Sequence, residues 1–359
     1  MRVGMVVFAN KWSGAGAVAE LNCRALHSAG VDARLLFVGG RNLERRLTDM
    51  SWAEPTLIKE RRPAHFRSNL LTAGALADEC EVVISHLPHD HLLCVVAGVH
   101  RRVLLVRAFR NPRHIRRDPY HRYLNRRLSA ALFTHSALES QLLRTVGQLP
   151  ETALPVPVED RFRPADGSGW RNRLGIPPDA PVIGAVGKLA EGRGFGLLLE
   201  TTARLATPTH VIAVGHGEHL PQLQKMAIDL GLEPRVHWTG YQDEALPELY
   251  SAMDVVLFTV PGSDWGHRVI SEAQGCGRPV VAASWPGVED LVKDGVSGRV
   301  VDHDPAALAD AVDFLIANPD VAHRIGDAAA TAAENRRLAP IGRRLAQFLE
   351  EVLTQKKLH

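Results

Sequence analysis

The residues that decide the fold read DVVLFT (254–259), VPGSDW (260–265), GHRVISEAQGCG (266–277) and RPVVA (278–282). The first block is an apolar run short enough to be a buried strand. Pro261, Gly262 and Ser263 break the chain into a loop. From Gly266 the pattern turns helical, with Val269, Ile270 and Ala273 on one face. Gly275 and Gly277 end that helix, and Pro279 to Ala282 opens the next strand. The expectation is strand, loop, helix, strand, with Asp264 at the helix entrance and Glu272 eight residues on.

Eight helical residues advance ~12 Å and rotate ~80° past two full turns. A long, thin ligand beside such a helix could touch both acids, while the helix amino end offers free N–H groups to an anion. A nucleotide sugar has that form: sugar, diphosphate, ribose. On residue type alone the pattern also describes an N-cap Asp and a solvated helix Glu.

The stretch resembles the motif of the family-4 retaining glycosyltransferases of the two-Rossmann-domain (GT-B) type: acid, seven residues, Glu, then a Gly-x-Pro-Val-Val ending, here Asp264, Glu272 and Gly277 to Val281. The resemblance implies that Glu272 binds the ribose hydroxyls and that Asp264, where the family usually has Glu, holds the donor sugar. Trp265 replaces a common Gly, Gly266 is kept, and His267 joins the donor-binding set.

The rest of the carboxy-terminal half extends this reading. Pro181 to Gly187 is a buried strand, followed by Lys188-Leu189-Ala190-Glu191-Gly192-Arg193-Gly194 and a helix from about Phe195. Two cations among glycines before a helix amino end suit a diphosphate. The family has Arg then Lys here; this chain has Lys188 then Arg193, and the two cations are not geometrically equivalent. Strands are expected at 209–214 and 235–241. The Gly215-His216-Gly217 turn follows the first, and Tyr241, after the second, is the candidate to pack on the base. Residues 287–298 resemble the family's closing helix and turn. Asp302-His303-Asp304 imitates a metal-binding triplet, but Asp304-Pro305 reads as an N-cap and N1 proline opening a helix at 306–317. A last helix, about 340–354, carries Ile341, Leu345, Phe348, Leu349 and Val352 along one side; in this fold class it crosses back onto the first domain, the alternative being a helix lying on a membrane.

The amino-terminal half opens with a strand from Met1 to Phe8, a glycine turn at Gly14 and Gly16, a helix over 17–28 and a second strand over 33–38. A nicotinamide fingerprint is disfavoured: Ala19 stands where a third glycine is needed, and no acid ends the second strand. The resemblance places Gly14 and Gly16 at the donor diphosphate. The strand at 81–85 ends in His86-Leu87-Pro88-His89-Asp90-His91. Three imidazoles and an acid suggest metal, but Pro88 interrupts a helical register and no distant cluster completes a set. His89 is expected on the acceptor side. After the strand at 103–106 the family has a His beside the donor sugar; here Arg110 stands there, with His114 four residues on. Ten Arg, no Lys and a single acid, Asp118, fill 101–127. Three readings stay open: a solvated surface, an acceptor bearing anions, or an anionic membrane face.

A chain of 359 residues favours two domains over one core. We expect a first Rossmann-like domain over 1–165, a second over 166–338 and a returning helix over 339–359, the Asp166-Gly167-Ser168-Gly169 stretch serving as boundary. Net charge is +2, which argues against a nucleic-acid partner. Four scattered cysteines fit reduced thiols and a cytoplasmic setting, with peripheral membrane contact through 101–127 as an added possibility. The expected chemistry is metal-independent, retaining glycosyl transfer without a cofactor from a UDP- or GDP-linked sugar to a glycan, glycolipid or small-molecule acceptor. Lys188, Arg193 and Asp264 are the catalytic candidates; Gly14, Gly16, Gly187, Tyr241, Gly266, His267 and Glu272 bind donor; His89, Arg110 and His114 lie toward the acceptor. The rivals are a non-catalytic sugar-nucleotide binder and a phosphorylase or epimerase on the same fold.

Overall fold

A computed structural model describes residues 1–12, 14–59, 62–109, 118–119, 123, 125, 127–135, 149–260 and 267–357. The chain divides into two compact units, Met1–Pro157 with Arg336–His359, and Val158–Gly262 with His267–Asn335.

The first unit is built on seven strands: β1 (Arg2–Val7), β2 (Asp32–Val38), β3 (Ala53–Leu57), β4 (Val82–Ser85), β5 (Leu104–Ala108), β6 (Ala131–Thr134) and β7 (Glu151–Ala153). Their order is β3-β2-β1-β4-β5-β6-β7 and every pairing is parallel. Between them run α1 (Ala15–Ser28), α2 (Arg41–Leu47), α3 (Pro63–Glu79), α4 (Pro88–Val96) and α5 (Val99–Arg102). A parallel sheet is covered on both faces, so its strands read as continuous apolar runs rather than alternating ones. β4, β5 and β6 are buried at every position. Strand β3 and helix α3 were not legible in advance, because β3 (Ala-Glu-Pro-Thr-Leu) is a half-exposed edge strand with a proline.

The second unit has β8 (Val182–Val186), β9 (His210–Val214), β10 (Val236–Gly240), β11 (Val255–Phe258), β12 (Val280–Ala283) and β13 (Arg299–Val301), in the order β10-β9-β8-β11-β12-β13, again all parallel. Its helices are α6 (Ser168–Arg173), α7 (Phe195–Thr202), α8 (Leu220–Asp229), α9 (Leu246–Ala252), α10 (Arg268–Gly275), α11 (Pro305–Ala317) and α12 (Pro319–Glu334). Val158 and Phe162 sit in this unit's core. The division therefore falls at 157/158 rather than near residue 166, and Asp166 closes a local turn onto Ser168. Asp304 accepts from the N–H groups of Ala306 and Ala307, capping α11 ahead of Pro305.

The last helix, α13 (Leu338–Lys357), belongs to the first unit and packs on α1. Ile341, Leu345 and Leu349 are fully buried there, with Phe348 and Val352 nearly so. The stripe along one side predicted from sequence is thus core. Residues 287–298 form turns, not the expected closing helix: Gly287 and Gly295 take left-handed φ values of 86° and 71°, which no continuous right-handed helix accommodates. Among the described residues no helix is long and apolar enough to cross a membrane.

Candidate functional site

In an open parallel sheet, ligands lie beyond the carboxyl ends of the strands where the strand order reverses. In the second unit that point lies between β8 and β11, each paired to the other and serving opposite halves of the sheet. The segment after β8 holds Gly187, Lys188 and Arg193; the segment after β11 holds Thr259 and, beyond it, His267 and α10.

The loop from Gly187 is tied down by backbone bonds, Gly187 N–H to Val214 O at 2.9 Å and Leu189 N–H to His216 O at 3.0 Å. It lies so close to the turn after β9 that a Cβ on Gly215 would come 1.8 Å from the Gly187 carbonyl. At its far end Gly194 adopts φ 81°, and a Cβ there would fall 2.1 Å from the Thr259 hydroxyl. That hydroxyl donates to the Gly194 carbonyl at 3.0 Å, and the Trp285 indole N–H donates to the Thr259 carbonyl at 3.1 Å. The two strand-end segments are thus bound to each other, and the loop bearing the cations is tied down at both ends. Lys188 is exposed and its Nζ lies 3.0 Å from Glu218 Oε1. Arg193 is half-buried and makes no ion pair among the described residues.

Helix α10 begins at Arg268, two residues later than the sequence pattern suggests, and Glu272 lies on it. Asp264 and Gly266 lie outside the described residues, as do Arg110 and His114. His267 occupies the N-cap position with φ 41°, the only non-glycine residue in left-handed space among the described residues. His is one of the few side chains enriched there, and strain of this kind collects at functional sites. The His267 ring lies 2.9 Å from the Pro286 carbonyl through Nε2 and edge-on to Phe258.

Glu272 is nearly fully buried, yet both its oxygens are engaged. The Tyr250 hydroxyl donates to Oε2 at 2.9 Å, and Arg268 Nε lies 2.8 Å from Oε1. Burial raises the Glu272 carboxyl above its usual range, while Arg268 and the Tyr250 hydrogen bond pull the other way. Burial and the neighbouring Glu272 push the Tyr250 phenol far up, so Tyr250 is a hydrogen-bond donor at neutral pH. Nearby Arg161 holds Glu159 at 3.2 Å and Asp243 at 2.5 Å, and its guanidinium covers the Phe162 ring, which meets Tyr250 edge-on. Sequence reasoning missed Thr259, Trp285, Tyr250 and Arg161. Thr259 and Trp285 could have been found, since both follow the carboxyl ends of apolar strands. Tyr241 lies exposed after β10, edge-on to His216 at 5.6 Å.

In the first unit the order reverses between β1 and β4. Gly14 precedes α1 with φ 52°, and a Cβ on Gly16 would fall 2.3 Å from the Lys11 carbonyl. Both glycines therefore have a backbone reason to be there. Pro88 does not break a register but opens α4 at its first turn, where a missing N–H costs nothing. Asp90 is fully buried and accepts from the N–H groups of Phe8 (3.0 Å) and Leu87 (2.8 Å). His91 is equally buried between the hydroxyls of Ser85 (2.9 Å) and Ser129 (3.1 Å). Burial, with Arg107 and His100 nearby, drives its pKa down to about 3. His86 is buried too; His89 alone of the cluster is exposed, its ring against Phe8 at 4.6 Å. The Arg-rich segment 101–127 lies in large part outside the described residues.

Known proteins carry the same architecture. The model of the family described as glycosyl transferases group 1 matches residues 180–318. The lipopolysaccharide core biosynthesis glycosyltransferase LpsE of Rhizobium meliloti is 34% identical over 158 residues, 44% of this chain and 46% of LpsE. A D-inositol 3-phosphate glycosyltransferase of Geodermatophilus obscurus is 36% identical over 203 residues, 50% of this chain and 44% of that protein. The chain thus spans less than half the length of either relative. Among solved structures, Anabaena HepE in complex with UDP-glucose superimposes with a TM-score of 0.83 at 21% identity, covering 98% of this chain and 100% of HepE. Sucrose-phosphate synthase of Thermosynechococcus elongatus gives a TM-score of 0.76 at 17% identity, with 99% of both chains covered. The two parallel sheets and the returning helix are those of the two-Rossmann-domain glycosyltransferase fold, and residues 180–318 are similar to the glycosyl transferases group 1 family.

Proposed function

We propose that the protein transfers a sugar from a nucleotide diphosphate donor to an acceptor hydroxyl, with retention of anomeric configuration and without a metal ion. The observation that carries this reading is the pairing, at one strand-order reversal, of a tethered loop bearing Lys188 and Arg193 with a helix bearing the buried Glu272, held by Tyr250 and Arg268. Cations fixed where charge develops on a departing diphosphate lower the barrier, because they need no reorganisation when the bond breaks. On this reading Lys188 exchanges Glu218 for a phosphate oxygen, Arg193 takes a second oxygen, and Glu272 accepts from the ribose hydroxyls. Gly187 sets the approach of the loop, Tyr241 flanks the base, and Asp264 with Gly266 and His267 faces the sugar. The two cations supply the charge neutralisation that a divalent ion supplies elsewhere.

UDP is the leading nucleotide, because HepE, which shares the fold, is known in complex with UDP-glucose. GDP remains the second candidate. The acceptor class is a glycan, glycolipid or small molecule, with His89 on its side, and Arg110 and His114 assigned with it from sequence. A panel of UDP-, GDP- and ADP-sugars read by thermal shift, followed by detection of released nucleotide diphosphate, tests the reading. Expected are stabilisation by one nucleotide class and slow donor hydrolysis without acceptor. Binding without any turnover would favour the non-catalytic binder instead.

A further inference from the structure

We infer that Tyr250 and Arg268 are positioning residues for Glu272, fixing its carboxylate so that each oxygen keeps a lone pair for the vicinal diol of a ribose. The inference rests on the ribose role proposed for Glu272 above. A free Glu side chain turns about three bonds and loses that freedom when it binds. Here the freedom is already gone: Oε2 accepts from Tyr250 at 2.9 Å and Oε1 lies 2.8 Å from Arg268 Nε. A carboxylate has about four acceptor positions, and the hydrogen bond from Tyr250 takes one of them, leaving each oxygen a lone pair. The part a ligand can reach is small, 4% of the side-chain surface. A carboxylate this covered needs a permanent cation and donor to stay ionised, and Arg268 and Tyr250 are placed to be both.

Tyr250 is itself pinned. Its side chain is fully buried, it meets Phe162 edge-on at 6.1 Å, and Phe162 lies under Arg161. Arg161 is held by Glu159 and Asp243. The orientation of one carboxylate is therefore passed inward through a ring pair to an ion-pair cluster that touches no ligand in the proposed mechanism.

The test measures how much the diol contributes to binding. Titration calorimetry with UDP, GDP and ADP selects the tightest nucleotide, which is then compared with its 2′,3′-dideoxy form. For the natural protein, removing the diol weakens binding about tenfold, the effect of one hydrogen bond to a charged group. In Tyr250→Phe and Arg268→Lys that ratio falls to about twofold, while the dideoxy nucleotide binds as tightly as before. A loss of folding alone would weaken both nucleotides together. The acid limb of nucleotide affinity also moves to higher pH in both variants, because Glu272 without a full set of partners protonates sooner. Arg268, partly exposed, covers the case in which Tyr250→Phe does not fold. If no nucleotide binds the natural protein, the proposed function fails and takes this inference with it. If nucleotide binds but the diol makes no difference, the ribose role of Glu272 is wrong. If the natural protein discriminates and a folded variant discriminates equally, with the same acid limb, the positioning role is overturned and the function stands.

Discussion

At the strand ends of the seven-stranded sheet, Asp90 and His91 are wholly buried and commit their polar atoms to the protein itself, to the N–H groups of Phe8 and Leu87 and the hydroxyls of Ser85 and Ser129. At the strand ends of the six-stranded sheet, Lys188 is in solvent, Arg193 is half-buried without an ion pair among the described residues, and Glu272 is buried but ringed by donors. The topology is the same at both places, a reversal between adjacent parallel strands. What differs is whether the side chains close the crevice or leave charge at its edge. A titratable cluster after a strand is therefore no sign of chemistry by itself; the direction of its hydrogen bonds decides.

The contrast can be broken most sharply with the cations. Replacing Lys188 and Arg193 together by Ala should lower kcat/KM for sugar transfer by at least about a hundredfold, the scale of losing a preorganised charge-stabilising group. Unfolding midpoints should barely move, since an exposed ion pair adds little to stability. Equal activity in the double variant would end the distinction drawn here. Asp90→Ala should do the reverse. It strands two part-buried N–H groups and should cost the first unit about 3 kcal/mol in urea denaturation while leaving nucleotide affinity alone. A drop in affinity with unchanged stability would move Asp90 to the functional side.

The histidine supplies a pH test. An unfolded imidazole protonates near pH 6.5, whereas His91 in the folded protein does so only at about 3. Its contribution is fully present above pH 6.5 and is lost as pH falls toward 3, by up to about 1.4 kcal/mol per pH unit. Hydrogen exchange of β4 amides between pH 7.5 and 5 should show that slope, and His91→Gln should flatten it. An unchanged slope would mean the ring is not held neutral. The smallest effect belongs to Glu218→Gln. Its carboxyl is kept below the usual range by a backbone hydrogen bond at its own residue and by Lys188. Releasing Lys188 should tighten nucleotide diphosphate about twofold with no measurable change in melting, since such surface pairs are worth little. Weaker binding would mean that Glu218 orients Lys188 rather than competing for it.

The frame of the fold could be read from short apolar runs, because a strand buried on both faces has nothing polar to disguise it. The strand, helix and strand around Glu272 fell at 255–258, 268–275 and 280–283, close to their expected places. Edge elements were harder. β3 and β13 are short and half-exposed, β3 carries a proline, and three residues are too few for β13 to show a period. At the candidate site, Glu272 and the two cations stood out because charged residues beside glycines after an apolar run are unusual. Tyr250 and Arg161 did not, since each meets its partner only after a long excursion of the chain, Tyr250 22 positions before Glu272 and Arg161 82 before Asp243. Pro88 was misread for a different reason: its meaning depends on whether a helix starts at it or runs through it, and periodicity over six residues cannot tell these apart.

The placement of α13 has a consequence for how the protein is made. The core of the first unit is completed by Ile341, Leu345 and Leu349, which follow the whole of the second unit in the chain. The half synthesised first therefore waits, with the α1 surface uncovered, while the second half can already fold behind it. Released chains truncated before residue 338 should hold a protease-resistant second unit and a digestible first one, the reverse of the usual amino-to-carboxyl order of maturation.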